Sequence, residues 1–342
     1  MSSLSIVIFS RNRPGLLARA ISHYSQAGLP VIVADGSSEP LASKIASKCR
    51  HYLHMPDVDV YRRIHASVAL VSSPAVALAA DDDVMLPETL AACACRLMQD
   101  TCAVRVCGVT VHIGPDDCDL SRAVPDLQVE RVLDLKNPSN PTERYLELMR
   151  QSPQVFYSVV RTGVAKSVLE VLRPIPNGGA IVGEQLWTVL PALAGSTVIV
   201  DQLQTIRRVR RHPPDYRPFQ EEVSQYQSLV DWPRYRQVTS VLLSVAGELG
   251  VSTDIASSVS EHFARNSWLV QPRTAPVADS PVRRLVRGVR KYLWRPAAAF
   301  SYSSRVSATG IHNRRLVRCS AYPWLSARGR YDAAVGAALR VS

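Results

Sequence analysis

Apolar and polar positions alternate between two periods over the first 112 residues. Leu4 to Phe9 is an unbroken apolar run rich in β-branched residues, the pattern of a strand buried on both faces. Pro14 follows in a loop. Over Gly15 to Ala27 the apolar positions Leu16, Leu17, Ala20 and Ile21 fall on one face of a helix. Pro30 to Ala34 repeats the strand pattern and stops at the turn Asp35-Gly36-Ser37. Leu41 to Cys49 reads as a helix, His51 to Leu53 as a short strand, and Val60 to Val71 as a helix. Pro74 parts that helix from a strand at Ala75 to Ala80, which ends in Asp81-Asp82-Asp83. A helix at Pro87 to Met98 and a strand at Cys102 to His112 complete the series. Strands alternating with helices predict an α/β fold, a mostly parallel sheet with helices on both faces. In such sheets ligands bind beyond the carboxyl ends of the strands. Both acidic spots, Asp35 and Asp81 to Asp83, fall there.

The pattern changes after residue 112. Residues 113–142 are polar and Pro-rich, with turn chemistry at Gly114-Pro115-Asp116 and Asn137-Pro138-Ser139. Further elements are expected at Thr142 to Arg150 (helix), Gln154 to Val160 (strand) and Gly163 to Leu172 (helix). Gly178-Gly179 is a joint before a helix at Ile181 to Ala194, and Thr197 to Gln202 is a strand. A Pro-rich link at His212 to Pro218 leads into a helical pattern over Phe219 to Leu269. The expected divisions are 1–112 and 113–212 as two halves of one domain, 213–280 as a helical extension, and 281–342 as a tail.

Length and charge sharpen this picture. A chain of 342 residues can bury an ample core, and 46% hydrophobic with 20% charged residues excludes wholesale disorder. No apolar run reaches the roughly 18 residues of a membrane-spanning helix. Leu4 to Phe9 is too short for a secretory leader, so a cytoplasmic protein is expected. The seven cysteines show no paired zinc spacing and read as buried thiols in a reducing compartment. The net charge of +11 is confined to one end. Residues 281–342 hold 13 Lys/Arg and one acid, Asp332, whereas residues 1–280 hold 27 Lys/Arg against 28 Asp/Glu. A basic tail is thus joined to a neutral body, with no recognisable nucleic-acid module, and no nucleic-acid partner is expected.

Three consecutive aspartates after an apolar strand repel one another, and each makes the next harder to ionise. A hard divalent cation offsets that cost, with substrate phosphates as further ligands. A capping turn would need only one of them.

At these residues the sequence resembles the GT-A glycosyltransferases of the family 2 type, in particular a bacterial subgroup. The resemblance rests on Ser5 to Pro14, Val31 to Ser37, Ala79 to Asp83, Phe156 to Arg161 and Gly183 to Leu186, and covers about residues 4–210. It implies a Rossmann-like domain whose first half binds a nucleotide-sugar and whose second half faces an acceptor. It places Ser10, Arg11, Asn12 and Arg13 beside the nucleotide, and Asp35 against the base. Asp81 would meet ribose or sugar, Asp83 chiefly the metal (Mn²⁺ or Mg²⁺), and Asp82 would share either task. The set Arg62-Arg63 would assist the leaving diphosphate, Tyr61 and Arg62 standing where the subgroup has Tyr and a basic residue, and Glu184 would be the general base of inverting transfer. Two positions depart from the pattern: Ala34 precedes Asp35 where the family shows a second aspartate, and Gln185 follows Glu184 where it shows another. The Arg207, Arg208, Arg210, Arg211 set is either a diphosphate contact or a solvated basic edge. His112 and His212 read as ordinary residues, and Arg161 as an acceptor contact or a structural partner.

In the tail, Val282, Leu285, Val286, Val289, Tyr292 and Leu293 recur at helical spacing among six Lys/Arg from Arg283 to Arg295. That is the pattern of an interfacial helix on an anionic membrane, or of a helix packed on the body. The expected activity is metal-dependent glycosyl transfer in surface polysaccharide or glycolipid synthesis, with a glycan or lipid-linked acceptor, peripheral on the inner face of the membrane. The rivals are a sugar-nucleotide nucleotidyltransferase, against which stands the absence of glycine in Ser10 to Pro14, and a non-catalytic membrane- or polyanion-binding protein.

Overall fold

The computed structural model describes residues 3–113, 124–125, 138–151, 155–173 and 179–208, with the single positions 240 and 244. The expected tail, and all but those two positions of the expected extension, lie outside the described residues. The elements run β1 (Leu4–Ser10), α1 (Pro14–Gln26), β2 (Val31–Asp35), α2 (Ser43–Ala46), β3 (His51–His54), α3 (Val60–Ala69), β4 (Ala75–Ala80), β5 (Val84–Met85) and α4 (Pro87–Gln99). They continue with β6 (Ala103–Ile113), β7 (Val124–Pro125), α5 (Pro141–Gln151), β8 (Val159–Arg161), α6 (Thr162–Leu172), α7 (Gly179–Ala194) and β9 (Ser196–Arg208).

The nine strands among the described residues lie in one sheet, ordered β3-β2-β1-β4-β8-β6-β9-β5, with β7 paired to β6. The block β3-β2-β1-β4 is parallel throughout. β1, β2 and β4 are buried on both faces, which is why they read as continuous apolar runs rather than as alternations, while the edge strand β3 is half-buried. Beyond β4 the expectation of a mostly parallel sheet needs correction. β8 runs antiparallel to both β4 and β6, and β5 antiparallel to β9. The sheet is mixed because short reversing segments fill places that a crossover helix would otherwise serve. β5 follows the Asp81–Asp83 turn directly, and β8 is three residues long.

Proline at the first turn starts α1 and α4 where its missing N–H costs nothing. Asp59 caps α3 by accepting from the Tyr61 N–H at 2.9 Å. α1 buries Leu17, Ala20, Ile21 and Tyr24 against the sheet, the stripe of an amphipathic helix. α2 is shorter than expected from Leu41 to Cys49. None of its residues is buried, so no packing supports further turns.

α7 contains Pro191, which cannot donate to the Trp187 carbonyl one turn back. Arg105 of β6, fully buried, supplies the missing donor. Its Nη1 reaches the Thr188 carbonyl at 2.7 Å and the Trp187 carbonyl at 3.4 Å, while Nη2 reaches Thr197 Oγ1 at 2.9 Å. Burial pulls the Arg105 guanidinium down to about 10. Among the described residues no helix is long and apolar enough to cross a membrane.

Candidate active site

The chain winds from β1 through β2 to β3 on one side, then crosses to β4 on the other. The carboxyl ends of β1 and β4 thus border a topological switch point, the usual ligand crevice of open α/β sheets. Ser10 ends β1 and Asp81 follows β4. Both are buried, and Ser10 Oγ donates to Asp81 Oδ2 at 2.5 Å across the crevice. Arg13, on the loop before α1, forks onto the same turn. Its Nη2 lies 2.7 Å from Asp81 Oδ1, and its Nη1 lies 3.0 Å from Asp82 Oδ2.

A second group forms around Asp35 at the end of β2. Its Oδ1 accepts from the Ser37 N–H at 2.9 Å, and its Oδ2 accepts from the Tyr52 hydroxyl at 2.6 Å. The Tyr52 oxygen in turn accepts from the Leu41 N–H at 2.7 Å. Burial pushes the Tyr52 phenol up to about 12, with its bond to Asp35 acting in the same direction. Asn12, in the left-handed region at φ 55°, ties the first loop to the second. Its N–H donates to Ser37 Oγ at 2.8 Å, and its Oδ1 accepts from the Ser38 N–H at 3.0 Å. Beneath both loops lies Arg63, whose Nη1 donates to the Ser10 carbonyl at 2.8 Å and the Ala34 carbonyl at 3.3 Å. A Cβ on residue 36 would stand 2.0 Å from that Nη1, which is why this turn takes glycine. Burial draws the Arg63 guanidinium below its ordinary value; the charge of Arg11 adds to this, and Asp35 and Asp59 oppose it.

The third group holds Asp83. Its Oδ2 accepts from the Tyr157 hydroxyl and, at 3.3 Å, from Arg207 Nε. The Arg207 guanidinium also lies 5.3 Å from the centre of the Tyr157 ring, within cation–π range. Tyr157 reaches this place because its segment departs from the expected strand over Gln154 to Val160. The Ser158 N–H bonds the Phe156 carbonyl at 3.0 Å, a tight bend, and regular pairing begins only at Val159. The rings of Phe9, Phe156 and Tyr157 meet edge to face and hold the bend against β1.

Ser10, Asn12, Arg13, Asp35, Asp81, Asp82 and Asp83 thus converge on the strand ends. Arg11 is exposed beside them. Arg62 faces elsewhere: it is exposed, and its Nε lies 3.4 Å from the Arg173 carbonyl at the end of α6. Its neighbour Arg63 takes the inward place. In α3, position 63 shares the buried face with Ile64 and Ser67. Tyr52 carries no sequence signal, and Tyr157 stands within the Phe156–Arg161 stretch of the resemblance without a role assigned there. Glu184 lies in the first half of α7, immediately after Gly183. Gly183 packs on the Tyr61 ring so closely that a Cβ there would stand 2.0 Å from it. Arg161 has a structural place, donating to the carbonyls of Leu97, Asp100 and Ala103 at 2.7–2.8 Å and so closing the end of α4. His112 lies on β6 in register with Arg207, and Arg208 ends β9. Arg210, Arg211 and His212 lie outside the described residues. Among the described residues no three His, Cys, Asp or Glu side chains form a cation cage.

The sequence matches no protein-family profile and no curated protein. The fold does have counterparts. S. aureus TarS 1–349 in complex with UDP-GlcNAc superposes with a TM-score of 0.51 at 13% identity, over 98% of this chain and 82% of that one. TarS 1–349 in another crystal structure gives 0.49 at 13% identity over 77% and 70% of the two chains. The mannosyltransferase PcManGT from Pyrobaculum calidifontis, in complex with GDP-Man and Mn²⁺, gives 0.43 at 10% identity over 98% and 85%. The last two values fall below 0.5 and add nothing to the first. This chain therefore shares an α/β fold with a protein that binds a nucleotide-sugar.

Proposed function

We propose that the protein is a glycosyltransferase of the GT-A, family 2 type, moving a sugar from a nucleotide-diphosphate donor to an acceptor hydroxyl. The observation that carries this reading is the convergence of Ser10, Arg13, Asp35, Asp81 and Asp83 on one switch-point crevice, in a fold shared with a UDP-GlcNAc-binding protein. Asp35, oriented by Ser37 and Tyr52, receives the base, and Asp81 the ribose or sugar. The acceptor oxygen attacks the anomeric carbon opposite the leaving group. A new C–O bond forms, the bond to the phosphate oxygen breaks, and its electron pair leaves on the nucleoside diphosphate. The acceptor proton passes to Glu184, so the anomeric configuration inverts.

Mg²⁺ and Mn²⁺ are commonly held by one or two carboxylates, with substrate phosphates completing the shell. Asp81 and Asp83 are hard oxygen donors on one turn, so the donor set fits a cation that arrives with phosphate, without an all-protein cage. Bound there, the cation would supply Lewis-acid stabilisation of the leaving diphosphate. The chain's own aids to that charge are the guanidiniums of Arg13 and Arg207. For the acceptor we propose a glycan or lipid-linked carrier of surface polysaccharide or glycolipid synthesis. The site of action is then the cytoplasm, on the inner face of the membrane, which the basic segment 281–295 would contact.

Calorimetric titration with UDP, GDP, CDP and dTDP, each with and without Mn²⁺, tests the donor site. One nucleotide is expected to bind. A folded sample that binds none of the four overturns the reading.

A further inference from the structure

Arg13 stands where a cation is wanted. Its two nitrogens bridge Asp81 and Asp82 at 2.7 and 3.0 Å, and Arg207 holds Asp83 at 3.3 Å. Charge-assisted bonds of this kind are about twice as strong as neutral ones. A guanidinium shared by adjacent carboxylates also removes the like-charge repulsion that would otherwise draw a divalent ion to the turn. A cation approaching the donor-free protein therefore meets three carboxylates that already share two guanidiniums.

The two arginines are not equally fixed. Arg207 is held by its place in the β9 ladder and by the Tyr157 ring. Arg13 instead sits on the short loop between β1 and α1, and the carboxylates of the Asp81–Asp82 turn are what hold its fork. That loop also carries Asn12 in the left-handed region. The planar fork that fits two carboxylates fits two phosphate oxygens equally well.

We infer that Arg13 is the internal counter-cation of the Asp81–Asp82 pair in the donor-free protein. When a nucleoside diphosphate enters the crevice, the fork transfers to its phosphate oxygens and opens Asp81 to a divalent cation. Metal and nucleotide then bind as a coupled pair, each raising the affinity for the other by the same factor. The transfer rests on the donor proposed above; the counter-cation role does not.

The test is Mn²⁺ binding to the full chain, read from the loss of the free-ion electron paramagnetic resonance signal. Mn²⁺ is titrated alone and with UDP or GDP. Wild type is expected to bind Mn²⁺ weakly alone, and about tenfold or more tightly with the nucleotide that fits, within the usual range of coupling between sites. Arg13→Gln is expected to bind Mn²⁺ alone about tenfold more tightly than wild type and to lose most of the nucleotide enhancement. Arg13→Lys, which keeps the charge without the fork, falls between the two. Arg13→Met removes the charge but keeps apolar length, and is expected to shift Mn²⁺ binding in the same direction as Arg13→Gln, which keeps the test open should that variant fail to fold. Wild type binding Mn²⁺ alone as tightly as both variants overturns the inference. Failure of every nucleotide to bind overturns the donor reading instead, and the comparison with Mn²⁺ alone still decides the role of Arg13.

Discussion

Asp35 is held by two donors from opposite sides. One is a backbone amide two residues on; the other is the Tyr52 hydroxyl from β3. Because Tyr52 also accepts from the Leu41 N–H, its removal leaves two groups short of a partner. Tyr52→Phe is expected to cost about 1 kcal/mol or more near neutral pH, and to weaken nucleotide binding by loosening the Asp35 carboxylate. The pH dependence has a definite sign. The phenol's ordinary value is 10.0, and in the folded chain it stands at about 12. Between the two, the folded chain keeps a proton that the unfolded chain has lost. Stability from this group is therefore complete below pH 10 and falls as pH rises from about 10 to about 12. Urea midpoints at pH 9 and pH 11 check this: wild type should lose more between them than Tyr52→Phe. Equal losses would reject Tyr52 as a group that titrates late.

Among the elements, Arg105 joins β6, β9 and α7. The proline in α7 leaves a carbonyl that only an outside donor can reach, and Arg105 serves it together with the next one. Arg105→Met keeps length and apolar bulk but leaves both carbonyls and Thr197 Oγ1 without this donor. The expected loss is about 2–4 kcal/mol in chemical denaturation. Because α7 carries the proposed base Glu184, turnover should fall further than nucleotide affinity. Unchanged stability would show that the helix does not depend on this contact. The same region marks where the sequence stops being legible. β1, β4, α1 and α4 follow from residue patterns because burial on two faces, or along one stripe, writes itself into apolar spacing. β5 and β8 do not, since two or three paired residues carry no period and their antiparallel direction comes from chain reversals. In the site, motif positions lead to Ser10, Asp35 and Asp81–Asp83, and the Arg62-Arg63 pair is legible as a basic set, though not which of the two turns inward. Tyr52 arrives from a strand distant in sequence, which no local pattern encodes, and Tyr157 lies in a stretch of the resemblance whose bend onto Asp83 has no period to read.

At the scale of the whole molecule the charge is divided between a neutral body and a basic end. Residues 1–280 carry one more acid than base, and the last 62 residues carry a surplus of 12 positive charges. Between Val282 and Arg295 apolar residues at helical spacing share the segment with six Lys/Arg and Trp294. On an anionic surface each basic residue adds roughly 1 kcal/mol, and the apolar face adds burial in the headgroup region. The proposed donor crevice would thereby be kept at a membrane, beside the lipid-linked acceptor proposed for it. Co-sedimentation of the full chain with phosphatidylglycerol vesicles tests this. Binding is expected to be strong at low salt and to weaken as the salt is raised. It should be near absent with phosphatidylcholine alone. Reversing Arg287, Arg290 and Lys291 to Glu halves the surplus of the tail and should release the protein from the anionic vesicles without altering nucleotide binding at the crevice. If the triple variant sediments as wild type does, the basic segment is a helix packed on the body, and whatever brings the acceptor to the crevice is not the lipid surface.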